Sequence, residues 1–292
     1  MKVAIIGLGI MGSAYAGNLL AGGAEVEGTD PLEEARARLA EAGGTPHDTL
    51  GPWVRDAELI ILSLASPKVL HAVAAELAGL IAPGQIVAET GTFALADKNA
   101  AREVIDAAGG ITLDCPVSGT GAQARAKDLL MMTSGPEEAA RKIEPILEKF
   151  TKGVIYGGEF GNGARLKYVA NHAVALHNCA AAETLHYARS HGLPDDLVYK
   201  MLSTGAGHSR MLELRMPMMI SGEYRPATAN MSMFEKDFSV IGGDIAVQGV
   251  ATPMFDAVRR VYDIAYAELP MDLDTASVYE IYREGRLEKD ET

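Results

Sequence analysis

The chain has 292 residues, 48% of them hydrophobic and 22% charged, about twice a typical single-domain length and enough apolar material for two cores. Its net charge is −13, and its Lys and Arg residues are dispersed rather than gathered into a stripe, which argues against a nucleic-acid partner. No apolar stretch approaches the roughly 18 residues of a membrane span. Met1–Gly7 has neither the basic start nor the small-residue cleavage site of an export signal, so a soluble, cytoplasmic protein is expected. Disorder is expected nowhere before Glu288–Thr292, and Cys115 and Cys179 read as buried thiols.

In chain order, the first strand is expected at Val3–Ile6, and Gly7, Gly9 and Gly12 follow it as GxGxxG at the opening of a helix. Gly7 allows a tight turn, Gly9 lets the backbone approach a pyrophosphate, and Gly12 permits close packing of helix on strand. Ile10 and Met11 then lie at the helix N-terminus, the natural seat of the phosphates. The motif alone is weak in a chain with 31 glycines. A second strand, Ala24–Thr29, ends at Asp30, 23 residues after Gly7, where a carboxylate accepts hydrogen bonds from an adenine-ribose diol and repels a 2′-phosphate. That favours NAD over NADP. Arg36 and Arg38, on the next helical segment, keep NADP as the lesser option, and Asp30 also reads as a turn residue before Pro31.

Further strands are expected at Glu58–Leu64, Gln85–Glu89, Ile111–Cys115, Leu129–Ser134 and Val154–Tyr156, with helical spacing at Pro31–Ala42, Lys68–Ile81 and Pro136–Phe150. This alternation implies parallel strands with helical crossovers, a Rossmann-type α/β dinucleotide-binding domain over residues 1–160. Strand signals stop after the glycine-rich Gly157–Gly163. Ala164–Ser190 holds no Gly or Pro and reads as one long helix, with further helices at Pro194–Ser203, Met211–Met219, Met231–Gln248 and Thr252–Ala267. Residues 161–292 are therefore expected to form an all-α substrate and dimerisation domain built on the long helix.

Near its start, that helix places Lys167 and Asn171 four residues apart, about 40° from each other around the axis, and Asn178 returns to nearly the same azimuth. Such a polar ladder on an Ala-rich helix is unusual, although an exposed face with an ordinary lysine explains the spacing equally well. His172, His177, His186 and His191 lack the i, i+4 spacing of helical zinc ligands, so no metal is expected.

Four motifs in order now make the chain recognisable: GLGIMG at Gly7–Gly12, Asp-Cys-Pro-Val-Ser-Gly at Asp114–Gly119, GNGARLKYVAN at Gly161–Asn171, and Lys236-Asp237. Over nearly its whole length the sequence resembles the β-hydroxyacid dehydrogenase family, which includes 3-hydroxyisobutyrate, tartronate semialdehyde and threonate dehydrogenases and, more remotely, 6-phosphogluconate dehydrogenase. The resemblance implies hydride transfer between NAD and a small anionic 3-hydroxy acid, with Lys167 as the general acid/base. It also implies that Ser118, the backbone N–H of Gly119, and Asn171 hold the substrate carboxylate. By the same resemblance Leu64, Ala65 and Thr92 line the cofactor cleft, and Lys236 lies beside the cofactor. A lysine works as a base near neutrality only if burial or a nearby cation lowers its proton affinity, and Lys236 is the candidate cation.

The chain departs from many relatives at Thr120 and Lys127, where glycines are frequent, at Ala170 and at Gly91. Thr120 is expected to add bulk and a hydroxyl beside the carboxylate site. Ser203–Met211 and Asp274–Tyr279 resemble the threonate-type branch, which raises His208, Ser209 and Arg210 as substrate contacts; polar residues in a Gly-rich loop are also commonly just solvated. An NADPH-dependent imine reductase of the same fold and a non-catalytic nucleotide-binding protein are the alternatives. The methionines from Met211 to Met233 read as core or subunit interface, and a homodimer or homotetramer is expected.

Overall fold

Strand β1 (Lys2–Ile6) has the sequence KVAII, and its last four residues are buried. In the computed structural model, which describes residues 1–287, it lies inside a six-stranded sheet with β2 (Glu25–Thr29), β3 (Thr45–His47), β4 (Leu59–Leu62), β5 (Ile86–Glu89) and β6 (Ile111–Asp114). The order is β3-β2-β1-β4-β5-β6 and every pairing is parallel. Near-continuous apolar runs such as LIIL in β4 are what strands covered on both faces require. Alternate residues go to opposite faces: Val3, Ile5, Leu59 and Ile61 enter one core, and Ala4, Ile6, Ile60 and Leu62 the other.

The crossovers use α1 (Ile10–Ala21), α2 (Glu33–Glu41), α3 (Pro67–Ala78) and α4 (Leu95–Ala107). From β1 the chain works outward to β3 and then returns to β4 on the other side. The order therefore reverses between β1 and β4, the place where such sheets open a crevice at their strand ends.

A second, three-stranded sheet follows, made of β7 (Val117–Ser118), β8 (Leu130–Thr133) and β9 (Gly153–Tyr156), with α5 (Gly121–Arg125) and α6 (Glu137–Leu147). The two strands expected here, β8 and β9, pair parallel, and the additional strand β7 runs antiparallel to β8. The chain reverses through α5. Thr120 and Gln123 form a capping box at its start, and Lys127, just past its end, takes the left-handed conformation at φ 58°. Two-residue β7 and three-residue β3 are too short to show a period, which is why neither was expected.

The other helices are α7 (Asn162–Ser190), α8 (Asp195–Thr204), α9 (Arg210–Ser221), α10 (Met231–Gln248), α11 (Pro253–Glu268) and α12 (Tyr279–Arg283). Ser209 and Asn230 cap α9 and α10 by accepting from Leu212 N and Met233 N, and both helices stop at left-handed glycines, Gly222 and Gly249. Phe234, Phe238, Phe255 and Tyr262 form an aromatic core for this part. Asn178 is fully buried there, and its amide donates to Tyr262 Oη at 3.2 Å and Thr275 Oγ1 at 3.3 Å. The polar ladder of the long helix thus breaks up: the Asn178 amide N–H groups are spent in the core, while its Oδ1 is buried without a hydrogen-bond partner.

The described residues divide into two compact units, Met1–Lys167 and Tyr168 onward. Within the first unit, Gly163 N and Ala164 N, in the first turn of α7, donate to Ser134 Oγ and Asp114 Oδ2. No described helix is long and apolar enough to cross a membrane. Cys115 and Cys179 are buried and unpaired.

Candidate functional site

At the end of β1 the backbone makes the turn that only glycine permits. Gly7 has φ +94°, and a Cβ there would collide with the Ser63 carbonyl that follows β4. A Cβ on Gly12 would collide with the carbonyl of Gly7 itself, so α1 packs on β1 at a distance that excludes a methyl group. Gly9 is different: a Cβ there meets nothing within 4 Å. It is the N-cap of α1, it supplies no side-chain cap, and the first turn of α1 has no acidic residue. Open space in front of an uncapped helix N-terminus, its N–H groups and positive dipole end undirected at any protein anion, fits the phosphates of a dinucleotide.

Asp30, half-buried at the end of β2, faces the same turn. Its Oδ2 accepts from Leu8 N at 2.8 Å and its Oδ1 from Leu32 N at 2.9 Å. The carboxylate therefore ties the glycine turn to the start of the next loop and still has about two of its four acceptor positions left. Both readings made from the sequence, turn residue and diol acceptor, are physically compatible. Arg36, the nearer alternative partner for a 2′-phosphate, donates to the carbonyls of Asp30 and Pro31 and pairs with Asp48 at 3.2 Å. Arg38 is exposed on α2.

Leu64 is half-buried beyond β4 and packs on the core; Ala65 beside it is exposed. Thr92 is half-buried, two residues before Ala94, the residue that occupies the cap position of α4. Ser118 is the second residue of β7, paired with Leu130. Gly119 follows with φ +140°, and a Cβ there would lie 3.4 Å from Gln123 Oε1.

Lys167, partly exposed, lies three residues beyond Ala164 in α7. In the second unit, the buried Asn171 donates from Nδ2 to Asp237 Oδ2 at 2.7 Å, and Lys236 stands 3.4 Å from Asp237 Oδ1. Lys236 and Asn171, both expected at the site by the resemblance, thus lie at one carboxylate, and Asn171 keeps a second N–H for another acceptor. Thr120 spends its hydroxyl accepting from Gln123 N, so it caps α5. Ser209 caps α9, while Arg210 and His208 pair with Glu213 at 2.6 and 3.6 Å. All three groups of that loop make local contacts. Asp274 is likewise structural: it is fully buried and accepts from Arg215, Thr228, Ala229 and Ala276.

One group escaped sequence reasoning. Lys98, Glu89, Asp114 and Ser134 form a buried polar network beneath the Gly91–Thr92 loop and the start of α7. The signal was present: the buried stripe of α4 runs Lys98, Ala101, Ile105, a lysine at a core position, and the strand ends of β5 and β6 both carry carboxylates.

A parallel sheet with a glycine turn at its switch point, followed by helices, is the architecture of a dinucleotide-dependent oxidoreductase. The family model for the NAD binding domain of 6-phosphogluconate dehydrogenase matches residues 2–158, and that for the NAD-binding region of NADP-dependent 3-hydroxyisobutyrate dehydrogenase matches residues 161–282. L-threonate dehydrogenase of Escherichia coli strain K12 is 32% identical over 272 residues, 90% of this chain and 88% of that protein. The structure of Mycobacterium tuberculosis 3-hydroxyisobutyrate dehydrogenase with L-serine superposes with TM-score 0.89 at 24% identity, covering 97% of this chain and 99% of that one. A Streptomyces aurantiacus imine reductase reaches TM-score 0.62 at 23% identity, over 96% and 98%. The chain belongs to the β-hydroxyacid dehydrogenase family, and it is an oxidoreductase with an NAD(P)-binding domain.

Proposed function

We propose that the chain is an NAD-dependent dehydrogenase of a small anionic 3-hydroxy acid, with Lys167 as the general acid/base. One observation carries this reading: Lys167 stands on a helix whose first turn is bonded to Asp114, and Asp114 lies four residues before Ser118. That Lys167 and Ser118 both follow closely on residues tied to the end of β6 supports the roles proposed for them.

In this mechanism the bound nicotinamide supplies the hydride acceptor. Ser118 Oγ, the Gly119 N–H and the free N–H of Asn171 hold the substrate carboxylate and so orient the hydroxyl. Lys167 takes the hydroxyl proton during oxidation and returns it in the reverse direction. Retention of Lys167 weighs against imine reduction. The exposed apolar side chains Val169, Tyr187 and Met201 of the second unit, each more than half exposed, support a homodimer or homotetramer. Two buried free thiols suit a reducing, cytoplasmic setting.

NAD is favoured because Asp30 is held toward the glycine turn and Arg36 is already engaged. The test is a screen of 3-hydroxyisobutyrate, glycerate, serine and threonate with NAD and with NADP, following nicotinamide absorbance and identifying the oxidised carbon by mass spectrometry. At least one acid is expected to turn over with NAD preferred, and Asp30→Ala is expected to reduce that preference about tenfold, the value of one charged hydrogen-bond interaction. Tighter binding of NADPH than NADH by the unaltered protein overturns the cofactor assignment, and no turnover with any acid overturns the substrate class.

A further inference from the structure

Lys98 takes no part in the reaction as proposed, yet its side chain is completely buried. Its ammonium lies 2.5 Å from Asp114 Oδ1, 2.8 Å from Glu89 Oε2 and 2.9 Å from the Gly91 carbonyl. The contacts to Asp114 Oδ1 and the Gly91 carbonyl are hydrogen bonds, and that to Glu89 Oε2 is an ion pair. Burial opposes the charge, but the two carboxylates outweigh it and hold the ammonium protonated. Two carboxylates and one ammonium leave one negative charge, and the N-terminus of α7 offsets about half of it.

An ionic core of this kind costs several kcal/mol of desolvation for each ion, and apolar residues of the same volume commonly serve stability as well or better. What apolar residues cannot do is grip backbone, and this network grips it at two places. Gly91 is held from both sides: its N–H donates to Glu89 Oε1 at 2.6 Å and its carbonyl accepts from Lys98. The start of α7 is held through Asp114 Oδ2, which accepts from Ala164 N at 2.7 Å and from Ser134 Oγ at 3.1 Å, while Ser134 Oγ accepts from Gly163 N at 2.9 Å. Gly163 allows the approach, since a Cβ there would lie 2.8 Å from the Asp114 carbonyl and 3.0 Å from Met132 O. Thr92 follows Gly91 directly, and Lys167 follows Ala164 by three residues.

We propose that Lys98 is a positioning residue: bridging Glu89 and Asp114, it fixes the Gly91–Thr92 loop and the first turn of α7 to one point, and so sets where Lys167 stands. The inference rests on the reading of Lys167 as the acid/base. Lys98 itself touches neither substrate nor cofactor.

Lys98→Met alone strands two buried carboxylates, so the deciding variant is Lys98→Met with Glu89→Gln, which removes one charge of each sign. In the full chain, amide hydrogen exchange is expected to quicken at least about tenfold in peptides covering residues 90–93 and 162–167 but not in the β4 peptide, 59–62. With the hydroxy acid that the unaltered protein oxidises, kcat is expected to fall on the order of tenfold to a hundredfold while KM for the acid stays within about threefold. Unchanged exchange, exchange raised equally throughout the sheet, or an unchanged kcat overturns the proposal. Ser134→Ala, which removes only the hydroxyl between Asp114 and Gly163, is expected to loosen 162–167 alone; unaltered exchange there overturns the proposal whether or not the double variant folds. Local loosening in a protein whose turnover survives Lys167→Met would remove the reading of Lys167 and leave the anchoring intact, so the two failures are separable.

Discussion

Lys167→Met is expected to lower kcat by between about 10² and 10⁴-fold, the usual contribution of a positioned general acid/base, while NADH affinity stays within about threefold. Methionine keeps the length and helix propensity of lysine and removes only the amine. The first turn of α7 does not depend on that amine, because Gly163 and Ala164 are bonded to Ser134 and Asp114. The cradle at the start of α1 is also untouched, so cofactor binding and chemistry should separate cleanly. Stopped-flow or steady-state kinetics with the acid found in the screen, beside an NADH fluorescence titration, measures both quantities. Turnover within tenfold of the unaltered protein, or NADH binding lost in step with it, would sink the assignment.

The second large effect is expected from a single methyl group. Gly12→Ala drives a Cβ into the Gly7 carbonyl, and the alternative to collision is moving α1 off β1, against a core in which Ala14, Tyr15, Ala16 and Leu19 of that helix are buried. Overpacking of this kind costs about 1–3 kcal/mol, and displacement of the helix N-terminus should weaken NADH binding by on the order of a hundredfold. Gly9→Ala makes the informative contrast. Its Cβ meets no protein atom within 4 Å, so folding stability should change by no more than about 0.5 kcal/mol. NADH binding should nevertheless suffer, because the methyl group occupies the space assigned to the pyrophosphate. Urea unfolding and cofactor titration of both variants decide it: a Gly9→Ala protein that binds NADH normally would place the phosphates elsewhere.

How much of this was legible beforehand depends on the range of the interaction concerned. The parallel sheet was readable because β1, β4 and β5 are buried on both faces and are apolar except for Lys2 at the start of β1 and Glu89 at the end of β5. Helix α10 was readable to the residue because Asn230 and Gly249 punctuate it. The glycine turn and Asp30 carried their own spacing. By contrast, β3 and β7 were invisible because two or three residues have no period, and the antiparallel run of β7 depends on a capping box and a left-handed lysine that lie outside it.

The site divided in the same way. Motif order supplied the proposal of Lys167, Ser118 and Asn171 as site residues, but nothing local disclosed that Thr120 caps a helix, that Asn178 is spent on Tyr262 and Thr275, or that Lys98 joins Glu89 to Asp114. Those partners lie between 9 and 97 residues away for all but Thr120, and only the folded chain brings them within hydrogen-bond range.

The capping of α7 by the carboxylate of Asp114 also bears on how members of this family can be recombined. A chimera that takes its helical part from a relative would ordinarily be spliced in the glycine-rich loop before the helix. Spliced there, it would import a foreign first turn and set it against a carboxylate and hydroxyl pair arranged for Gly163 and Ala164. Splicing after Lys167 instead keeps the lysine with the strand end that fixes it, and the incoming segment then has only to continue a helix already begun.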